Sequence, residues 1–501
     1  MKAYETILKG AGISIFGLAI SKIISYLNVI LIAKTGSVNL GLLNLGFSII
    51  SFVTIISLLG LNNGVLRYVS YYLGKKDKKE VKSIIRSALN ISIPIGFIMF
   101  IVIFISSKFI SINFFNKPEL VPILKIFSIM IPLIIFIEII SGVFLSFKKI
   151  EYNVIIRDII EKIIKLILIL LFIYLGFNLN WVASTYLLSS LLTVILFFYI
   201  LKKKKFYLFN NKIKSTFRGK ELLIYSIPLI FSSLLTLLQK WADIFILGIY
   251  RTTSEIGVYS ISMSTAALLS IFPTAIMSLF IPLVTNLYSK KKYKETKKLS
   301  IIISKWIYIL NLPFIFILII FSEELLKFVF GLEYIDGKGA LIFLVLSYLL
   351  LSITHVYGGN LLMIKRTKTL LLLVVITTIV NLILNFLLIP RYGINGAAFS
   401  TLISSAIYLM LISTIGYKLL KLKLINKDFL KPFLIMSSIT LLIYFLENLF
   451  PKNNFILVIL ILLILIFYFG LLFLTKSFNK EELNLIKNLR YKLNEKLKIS
   501  K

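Results

Sequence analysis

The chain has 501 residues, of which 59% are hydrophobic and only 15% are charged, so a soluble fold could not bury its apolar surface. Its net charge of +35 would suggest nucleic acid in a soluble protein. Here the basic residues lie in short clusters between apolar runs, as in loops that face anionic headgroups, and no nucleic-acid partner is expected. With no cysteine and one histidine, His355, the chain excludes disulfides, thiol nucleophiles and Cys/His zinc sites.

Apolar runs of roughly 20 residues predict an all-α integral membrane protein with about fourteen transmembrane helices. The first run follows an N-terminus without a signal-peptide cleavage pattern, so we interpret it as an uncleaved first helix. The fifth run is interrupted by Lys162 and Lys165. In chain order the predicted spans cover 10–33, 40–62, 84–106, 121–147, 155–176, 180–201, 221–249, 255–283, 299–321, 339–363, 369–389, 394–417, 432–449 and 455–475.

The distribution of the 56 Lys and Arg residues predicts how these spans are oriented. Basic clusters fall in alternate connections, and most of these residues lie on the inner side when the N-terminus is cytoplasmic. We therefore expect a multi-pass protein of the cytoplasmic (cell) membrane with both termini in the cytoplasm. The longest outer connections, 107–120 and 322–338, leave little room for the catalytic loop of a membrane glycosyltransferase or polymerase.

The two halves of the chain repeat weakly in sequence. At an offset of 216, Gly41 matches Gly257 and Tyr72 matches Tyr288, and an offset near 214 relates 180–190 to 394–405. Six spans return the chain to its starting side, so the repeat predicts two six-helix lobes about a parallel pseudo-twofold axis, with substrate in the cleft between them. The predicted units are the N-terminal lobe 1–205, the C-terminal lobe 206–425, helices 13 and 14 in 426–476, and the tail 477–501.

The tail carries leucines and isoleucines at helical spacing among lysines. This pattern predicts an amphipathic helix on the inner membrane surface, and a solvated basic tail is the alternative.

Two stretches resemble a known family. Residues 381–404, NLILNFLLIPRYGINGAAFSTLIS, look like the signature of the multidrug/oligosaccharidyl-lipid/polysaccharide (MOP) exporter superfamily. Residues 243–260, DIFILGIYRTTSEIGVYSIS, resemble the seventh and eighth helices of its Wzx-type polysaccharide flippases. The resemblance implies alternating access between two six-helix lobes. With fourteen predicted spans the chain is also similar to the lipid II flippase branch of the superfamily. In that branch the last two helices are associated with a groove for the lipid tail.

Polar residues interrupt the first span along one face. Ser21, Ser25 and Asn28 share this face with Lys22, which lies near mid-span, too deep to reach the membrane surface easily. We interpret these residues as substrate-binding candidates in a hydrated cleft, with Lys22 pairing to the pyrophosphate of a lipid-linked sugar. A structural ion pair between Lys22 and another helix is the alternative.

The seventh span presents a matching polar face with Gln239, Lys240 and Asp243. Because the repeat relates the first and seventh spans, both faces are expected to border the same cleft, and Gln239 and Lys240 join the substrate-binding candidates. A local pair between Lys240 and Asp243, three residues apart, would instead satisfy both charges without any transport role.

The resemblance to the lipid II flippase branch also implies a sodium site. Its matching positions here are Asp243, Asn381, Asn385 and Thr401, whose oxygen atoms suit a hard cation. Asn385 stands where that branch would place a second carboxylate, so the site is less negative and sodium would bind more weakly. Asparagines that bond one helix to another are the alternative.

The start of the fifth span is strongly charged. Arg157–Glu161, Asp158–Lys162 and Glu161–Lys165 are spaced i,i+4, which favours a self-neutralised surface segment over a lining of the inner mouth. Glu138, within the fourth span, is a candidate partner for Lys22 or Lys165. His355 is a candidate proton carrier, and a hydrogen bond between helices is its alternative.

These features together predict a transporter without a cofactor, not an enzyme: a flippase that moves lipid-linked oligosaccharide in polysaccharide or glycoconjugate biosynthesis. The expected coupling ion is sodium or a proton, and the expected partners are the lipid-linked glycan, membrane lipids and polysaccharide-assembly proteins. Two other functions stay open. One is a cation-coupled multidrug antiporter, and the other is a membrane glycosyltransferase or polymerase that would use the acids of the second long outer connection, Glu323, Glu324, Glu333 and Asp336.

Overall fold

A computed structural model describes residues 2–203, 206–209, 213–424, 427–447, 454–475 and 477. Within these ranges the chain forms helices and no strand, as expected of a membrane protein whose helices satisfy their own backbone hydrogen bonds. The predicted all-α membrane fold is confirmed. We number the helices below by the predicted span that each one contains.

The first half contains helices 1 to 6. Helix 5 begins with one α-turn and an unusual π-helix, and the others are mainly α-helical. Their bounds are Lys2–Ala33 for helix 1, Ser37–Leu58 with a continuation at Leu61–Gly74 for helix 2, Lys78–Phe109 with the π-helix Ile110–Phe114 for helix 3, Leu120–Ser146 for helix 4, Ile150–Tyr152, the π-helix Asn153–Ile160 and Glu161–Tyr174 for helix 5, and Leu179–Lys203 for helix 6.

The second half repeats this order from helix 7 onwards. Its bounds are Gly219–Tyr250 for helix 7, Thr253–Ala267, the 3-10 turn Leu268–Ser270 and Ile271–Ser289 for helix 8, Tyr293–Ile320 for helix 9, Lys338–Met363 for helix 10, Thr367–Leu420 for helices 11 and 12 together, Leu430–Glu447 for helix 13 and Asn454–Leu474 for helix 14. The connection between helices 9 and 10 contains a short helix, Ser322–Val329, and the 3-10 segment Leu332–Gly337.

Ten of the described helices are long and apolar enough to cross a membrane. Two shorter apolar helices, Gly17–Ala33 and Leu430–Ile443, accompany them, and Thr367–Leu420 is two helices joined at Gly393, whose backbone is not helical. Each predicted span falls mainly on helical residues where the chain is described, and several run one or two residues past the end of a helix. The number of fourteen crossings stays a prediction, and the predicted amphipathic tail lies outside the described residues except for Ser477.

A sharp break divides helix 2 between Leu58 and Leu61. Leu59 and Gly60 both adopt left-handed backbone angles, with φ of 48° and 68°. A side chain on Gly60 would place its Cβ 2.4 Å from the backbone oxygen of Ser226 in helix 7. Glycine is therefore required twice at this position, by the turn and by the close approach of two helices. The predicted span 40–62 missed this break.

The internal repeat reappears as a symmetric contact between helices 2 and 8. An added Cβ on Gly41 would lie 1.8 Å from the backbone oxygen of Thr253, and one on Gly257 would lie 2.0 Å from that of Ser37. Gly257 follows Gly41 by 216 residues, and Thr253 follows Ser37 by the same interval. Each helix therefore packs its own glycine against the first turn of the other, which lets the two backbones touch.

The helix 2–helix 8 crossing predicts that Gly41→Ala destabilises the protein. The added methyl group meets a backbone carbonyl that has little freedom to move, so overpacking should cost about 1–3 kcal/mol. Thermal unfolding in detergent would measure this loss. Gly358→Ala is the matched control, because nothing lies within 4 Å of its added Cβ in helix 10. Equal unfolding temperatures for the two variants would contradict the prediction.

Candidate functional site

Asp243 of helix 7 lies at the centre of a polar cluster in the second half. Its Oδ1 accepts a hydrogen bond from Asn385 Nδ2 at 2.6 Å. Its Oδ2 accepts from Thr401 Oγ1 at 3.0 Å and from the hydroxyl of Tyr259 at 2.5 Å. The carboxylate therefore joins helices 7, 8, 11 and 12 through three neutral donors.

Asn381 completes this cluster. Its Oδ1 accepts from Asn385 Nδ2 at 3.1 Å, and its Nδ2 donates to Thr401 Oγ1 at 3.4 Å. The structure thus brings together all four residues that the resemblance singled out as ion-coupling candidates: Asp243, Asn381, Asn385 and Thr401.

The same cluster has a donor set that fits a hard cation. Asn385 is fully buried, and its side-chain oxygen has no hydrogen-bond partner among the described residues. The cluster also contains carboxylate, amide and hydroxyl oxygens, and a cation would satisfy the Asn385 oxygen where neighbouring groups do not. The residues present therefore fit the expected sodium, and they also join the helices to one another.

Tyr259 is the member of the cluster that sequence analysis missed. It is fully buried in helix 8, and its hydroxyl makes one of the shortest contacts to Asp243. Nothing in the sequence distinguishes it from the other 24 tyrosines. The sequence feature that could have identified Tyr259 is its position within the family-like stretch 243–260, in the helix that follows Asp243.

The local ion pair between Lys240 and Asp243 does not form. Lys240 Nζ lies instead over the ring of Trp241, 4.9 Å from its centroid. Both Lys240 and its neighbour Gln239 are exposed on helix 7. These two charges of helix 7 therefore have different surroundings, since Asp243 faces the polar cluster and Lys240 is exposed.

Lys22 lies where helix 1 meets helix 8. Its Nζ donates to Ser270 Oγ at 2.5 Å, at the 3-10 turn inside helix 8. No carboxylate within the described residues forms a salt bridge with it, so the alternative of a structural ion pair is not found. The side chain borders a pocket between the two halves, lined by Leu18, Ala19, Lys22, Ile271, Thr274, Ala275 and Ser278.

Lys162 of helix 5 joins the polar face of helix 1. Its Nζ donates to Ser21 Oγ at 2.5 Å, and its backbone oxygen accepts from Asn28 Nδ2 at 3.1 Å. Ser25 bonds within helix 1, to the backbone oxygen of Ser21. The close approach of helices 1 and 5 depends on Gly17, where a Cβ would lie 2.0 Å from a Val154 methyl group.

The charged start of helix 5 is not the self-neutralised face that its spacing favours. None of its three i,i+4 pairs closes as a salt bridge among the described residues. Arg157, within the π-helix, pairs instead with Glu138 of helix 4. The expected pairing of Glu138 with Lys22 or Lys165 is therefore wrong. Lys165 Nζ lies 4.1 Å from the centre of the Tyr186 ring.

Lys162 interacts electrostatically with one lysine of each half. It lies close enough to Lys22 of helix 1 and to Lys240 of helix 7 for their charges to repel one another. Lys22 also interacts electrostatically with His355, which is exposed on helix 10 and makes no helix-to-helix hydrogen bond among the described residues. Lys22, Lys162 and Lys240 therefore form a basic cluster where the two halves meet, with Asp158 and Glu161 beside Lys162, and an anion would reduce the repulsion among the three lysines.

Two of the four acids of the second long outer connection contact other parts of the protein. Glu323 Oε2 accepts from Lys338 Nζ at 3.0 Å, and Glu333 Oε2 accepts from the backbone N–H of Ser37 at 3.1 Å. The connection itself is folded into short helical turns. These contacts give no support to the acidic catalytic loop of a glycosyltransferase.

Comparison with known proteins places this geometry in a family. The sequence profile of the polysaccharide biosynthesis protein family matches residues 7–288, which is more than half of the chain. The chain belongs to this family. The MatE profile matches residues 228–387, and the predicted relation to the MOP superfamily is confirmed.

Two relatives and one solved structure show the range of similarity. The chain is 31% identical to the probable low-salt glycan biosynthesis flippase Agl15 of Haloferax volcanii over 39% of its length, and 28% identical to the capsular polysaccharide biosynthesis protein CapF of Staphylococcus aureus over 50%. These matches span 41% and 63% of the two relatives, less than two thirds of either. The lipid II flippase MurJ, in an inward closed conformation, shares the fold, with a TM-score of 0.74, 20% identity and coverage of 92% of this chain and 98% of that one.

The cluster in this family member predicts a measurable coupling between Asp243 and Tyr259. Removing the hydroxyl with Tyr259→Phe should lower the unfolding free energy by about 0.6–1.7 kcal/mol, the range for hydrogen bonds between membrane helices. The loss should shrink in an Asp243→Ala background, because the acceptor is then already gone.

A double-mutant cycle read by unfolding in detergent tests this coupling. Tyr348→Phe is the matched control, since Tyr348 is a partly buried tyrosine of helix 10 whose hydroxyl has no hydrogen bond to Asp243. Strictly additive losses for Asp243→Ala and Tyr259→Phe would show that the short contact carries no stability.

Proposed function

We propose that this protein is a flippase that moves lipid-linked oligosaccharide, a polyprenyl-pyrophosphate glycan, across the cell membrane by alternating access. Its family and the names of its relatives support a role in making polysaccharides or glycoconjugates. The observation that carries the proposal is the position of Lys22 and Lys162 where helices 1, 5 and 8 meet: Lys22 donates to Ser270 and Lys162 to Ser21, and Lys240 lies within electrostatic range of Lys162. Cations at such depth are expensive unless they serve a charged ligand or pathway.

Each part of the substrate has a place in this proposal. The pyrophosphate is drawn to Lys22, Lys162 and Lys240, which come from helices 1, 5 and 7. The sugars cross beside the polar side chains of the cleft, Ser21, Ser25, Asn28 and Gln239. The polyprenyl tail stays in lipid, and helices 13 and 14 are proposed to guide it.

The multidrug antiporter is the rival within transport. The MatE profile match supports this alternative. However, the cationic substrates of such an antiporter would be repelled by Lys22, Lys162 and Lys240. The acid of helix 7 in this region, Asp243, already accepts three hydrogen bonds. A basic cleft favours an anionic cargo, and we propose a transporter, not an enzyme.

We propose that the protein lies in the cytoplasmic membrane with both termini in the cytoplasm, as the positive-inside rule predicts. Glycan would then be loaded from the inner leaflet and released to the outer one. Enzymes and assembly proteins that build or polymerise the glycan are its proposed partners, together with the membrane lipids.

The basic cluster predicts that Lys22→Gln and Lys162→Gln each impair glycan export. Losing one charge-assisted hydrogen bond to pyrophosphate costs about 1.5–3 kcal/mol, which corresponds to roughly ten- to a hundredfold weaker binding. Lys22→Arg should keep part of the activity, because the charge remains. Translocation of a fluorescent lipid-linked oligosaccharide in proteoliposomes measures the effect.

Lys34→Gln is the matched control for these variants, because Lys34 is an exposed lysine that directly follows helix 1. All proteins are compared at equal reconstituted amounts. Wild-type translocation by Lys22→Gln and Lys162→Gln would remove the proposed pyrophosphate site. Resistance to cationic drugs conferred by the wild-type gene would favour the antiporter.

We also propose that the Asp243 cluster couples transport to an ion. Asp243, Asn381, Asn385 and Thr401 would hold sodium, and its positive charge would compensate the buried carboxylate. Tyr259 would orient that carboxylate from helix 8. A proton on Asp243 is the alternative coupling ion, and it would need no oxygen from Asn385.

Sodium is therefore expected to raise the unfolding temperature of the purified protein relative to potassium. Binding to the native state alone stabilises it by RT ln(1 + [L]/Kd), so the shift should grow with sodium concentration. Asp243→Asn should abolish the shift, whereas Asp336→Asn in the outer connection should retain it. Identical melting curves in the two salts would exclude sodium, and a dependence on pH alone would favour the proton.

A further inference from the structure

The two long outer connections reach across the cleft to opposite halves. The first, between helices 3 and 4, contacts helix 7, and the second, between helices 9 and 10, contacts helix 1. Helices 1 and 7 are the equivalent first helices of the two repeats. Each connection therefore binds the first helix of the other half, at the end that the charge pattern predicts to face outward.

Lys117 makes the first of these contacts. Its side chain is buried, and its Nζ donates to the backbone oxygen of Gly248 at 2.6 Å and to that of Phe115 at 3.1 Å. Gly248 lies in the last turn of helix 7, where backbone carbonyls lack a partner within the helix. A cation at this end also compensates the negative end of the helix dipole. The ammonium group therefore caps helix 7 from the opposite half.

Tyr334 makes the second contact. Its hydroxyl donates to the backbone oxygen of Ala33, the last residue of helix 1, at 2.9 Å, and the ring is fully buried. Adding the repeat interval of 216 to position 117 gives 333, one residue before Tyr334. In both halves an outer connection therefore donates a hydrogen bond to a backbone carbonyl at a helix end. The donor is an ammonium group in one half and a phenol in the other.

Aromatic rings reinforce both contacts. Phe115 packs edge-on against Phe245 of helix 7, with ring centroids 5.3 Å apart. Phe330 packs in the same way against Tyr26 of helix 1, with centroids 6.0 Å apart. Each outer connection thus combines one hydrogen bond to a helix end with one ring on the preceding turns of that helix.

The crossing of helices 2 and 8 lies at the same end of the molecule. Ser37 Oγ is 2.8 Å from Ser254 Oγ, at the first turns of the two helices. A movement that separates the halves here must break this contact together with those of Lys117 and Tyr334. We propose that Lys117 and Tyr334 are paired latches that hold the outer end of the cleft closed.

The Lys117 latch is the stronger of the pair, because a charge-assisted hydrogen bond exceeds a neutral one. Opening would return the ammonium group to water and expose the carbonyl of Gly248, so the latch can close again without a chemical step. This inference rests on the proposed alternating access, but its test requires neither glycan nor coupling ion.

The absence of cysteine from the chain allows a clean accessibility test. Ser37→Cys places a single thiol in the closed crossing, where the serine is 3% exposed. Adding Lys117→Met should speed the reaction of this thiol with a membrane-impermeant maleimide in proteoliposomes. Loss of one such bond shifts a two-state equilibrium roughly tenfold, and Tyr334→Phe should have a smaller effect.

Cross-linking measures the population of the closed state in the same equilibrium. With Ser37→Cys and Ser254→Cys together, mild oxidation should form a disulfide in high yield, and Lys117→Met should lower that yield. Lys108→Met is the matched control, because Lys108 is an exposed lysine next to the same outer connection. A thiol placed by Ser48→Cys, buried within helix 2, should stay unreactive in every folded variant.

Three outcomes decide the proposal. Faster labelling of the thiol from Ser37→Cys, while the thiol from Ser48→Cys stays unreactive, supports the latch. Wild-type labelling and cross-linking in the variant that carries Lys117→Met would overturn it, whatever the transported substrate is. Were Lys117→Met to make the Ser48→Cys thiol reactive as well, the lysine would be required for folding, and the latch would likewise be rejected. Normal latch behaviour in a protein that moves no glycan would refute the proposed cargo alone.

Discussion

The hydrocarbon of a membrane offers no hydrogen bonds, so each charge carried by an apolar helix must find its partner within the protein or in a hydrated cleft. This constraint organises the interior of the molecule. Asp243 draws donors from three other helices, and Arg157 pairs with Glu138 of a neighbouring helix. Lys22 and Lys162 each donate to a serine hydroxyl, and neither forms a salt bridge among the described residues, although Asp158 and Glu161 attract Lys162. The proposed site for an anion lies at these two lysines.

Helix 7 links the two polar regions of the molecule. Lys240 and Asp243 are only three residues apart. Lys240 is exposed and belongs to the basic cluster, whereas Asp243 accepts hydrogen bonds from Tyr259, Asn385 and Thr401. One rigid helix therefore carries a residue of the proposed substrate site and a residue of the proposed ion site. A rotation or bend of helix 7 would act on both at once, and this is the physical requirement for coupling the two equilibria.

Apolar run length and basic clusters were enough to predict where the helices lie, because both follow directly from the membrane as a solvent. The convergence of Asp243, Asn381, Asn385 and Thr401 was predictable only through a family resemblance, since they are up to 158 residues apart. Tyr259 and Lys162 were missed. A buried tyrosine has no sequence signature. For Lys162, the predicted i,i+4 pairs would form only if the start of helix 5 were a regular α-helix. The π-helix that precedes it changes the phase of Arg157, which pairs outside helix 5.

The internal repeat gives a physical reason why the proposed latches use backbone contacts. Where similar surfaces of two halves meet, as at Gly41 and Gly257, a contact between side chains would have to suit both halves. Backbone carbonyls at helix ends avoid this demand, because both halves possess them whatever their sequence. The side chains that reach them can then diverge independently, as Lys117 and Tyr334 have. The glycines at 41 and 257 meet the same condition because they have no side chain, which leaves the crossing symmetric while residues elsewhere between the halves can differ.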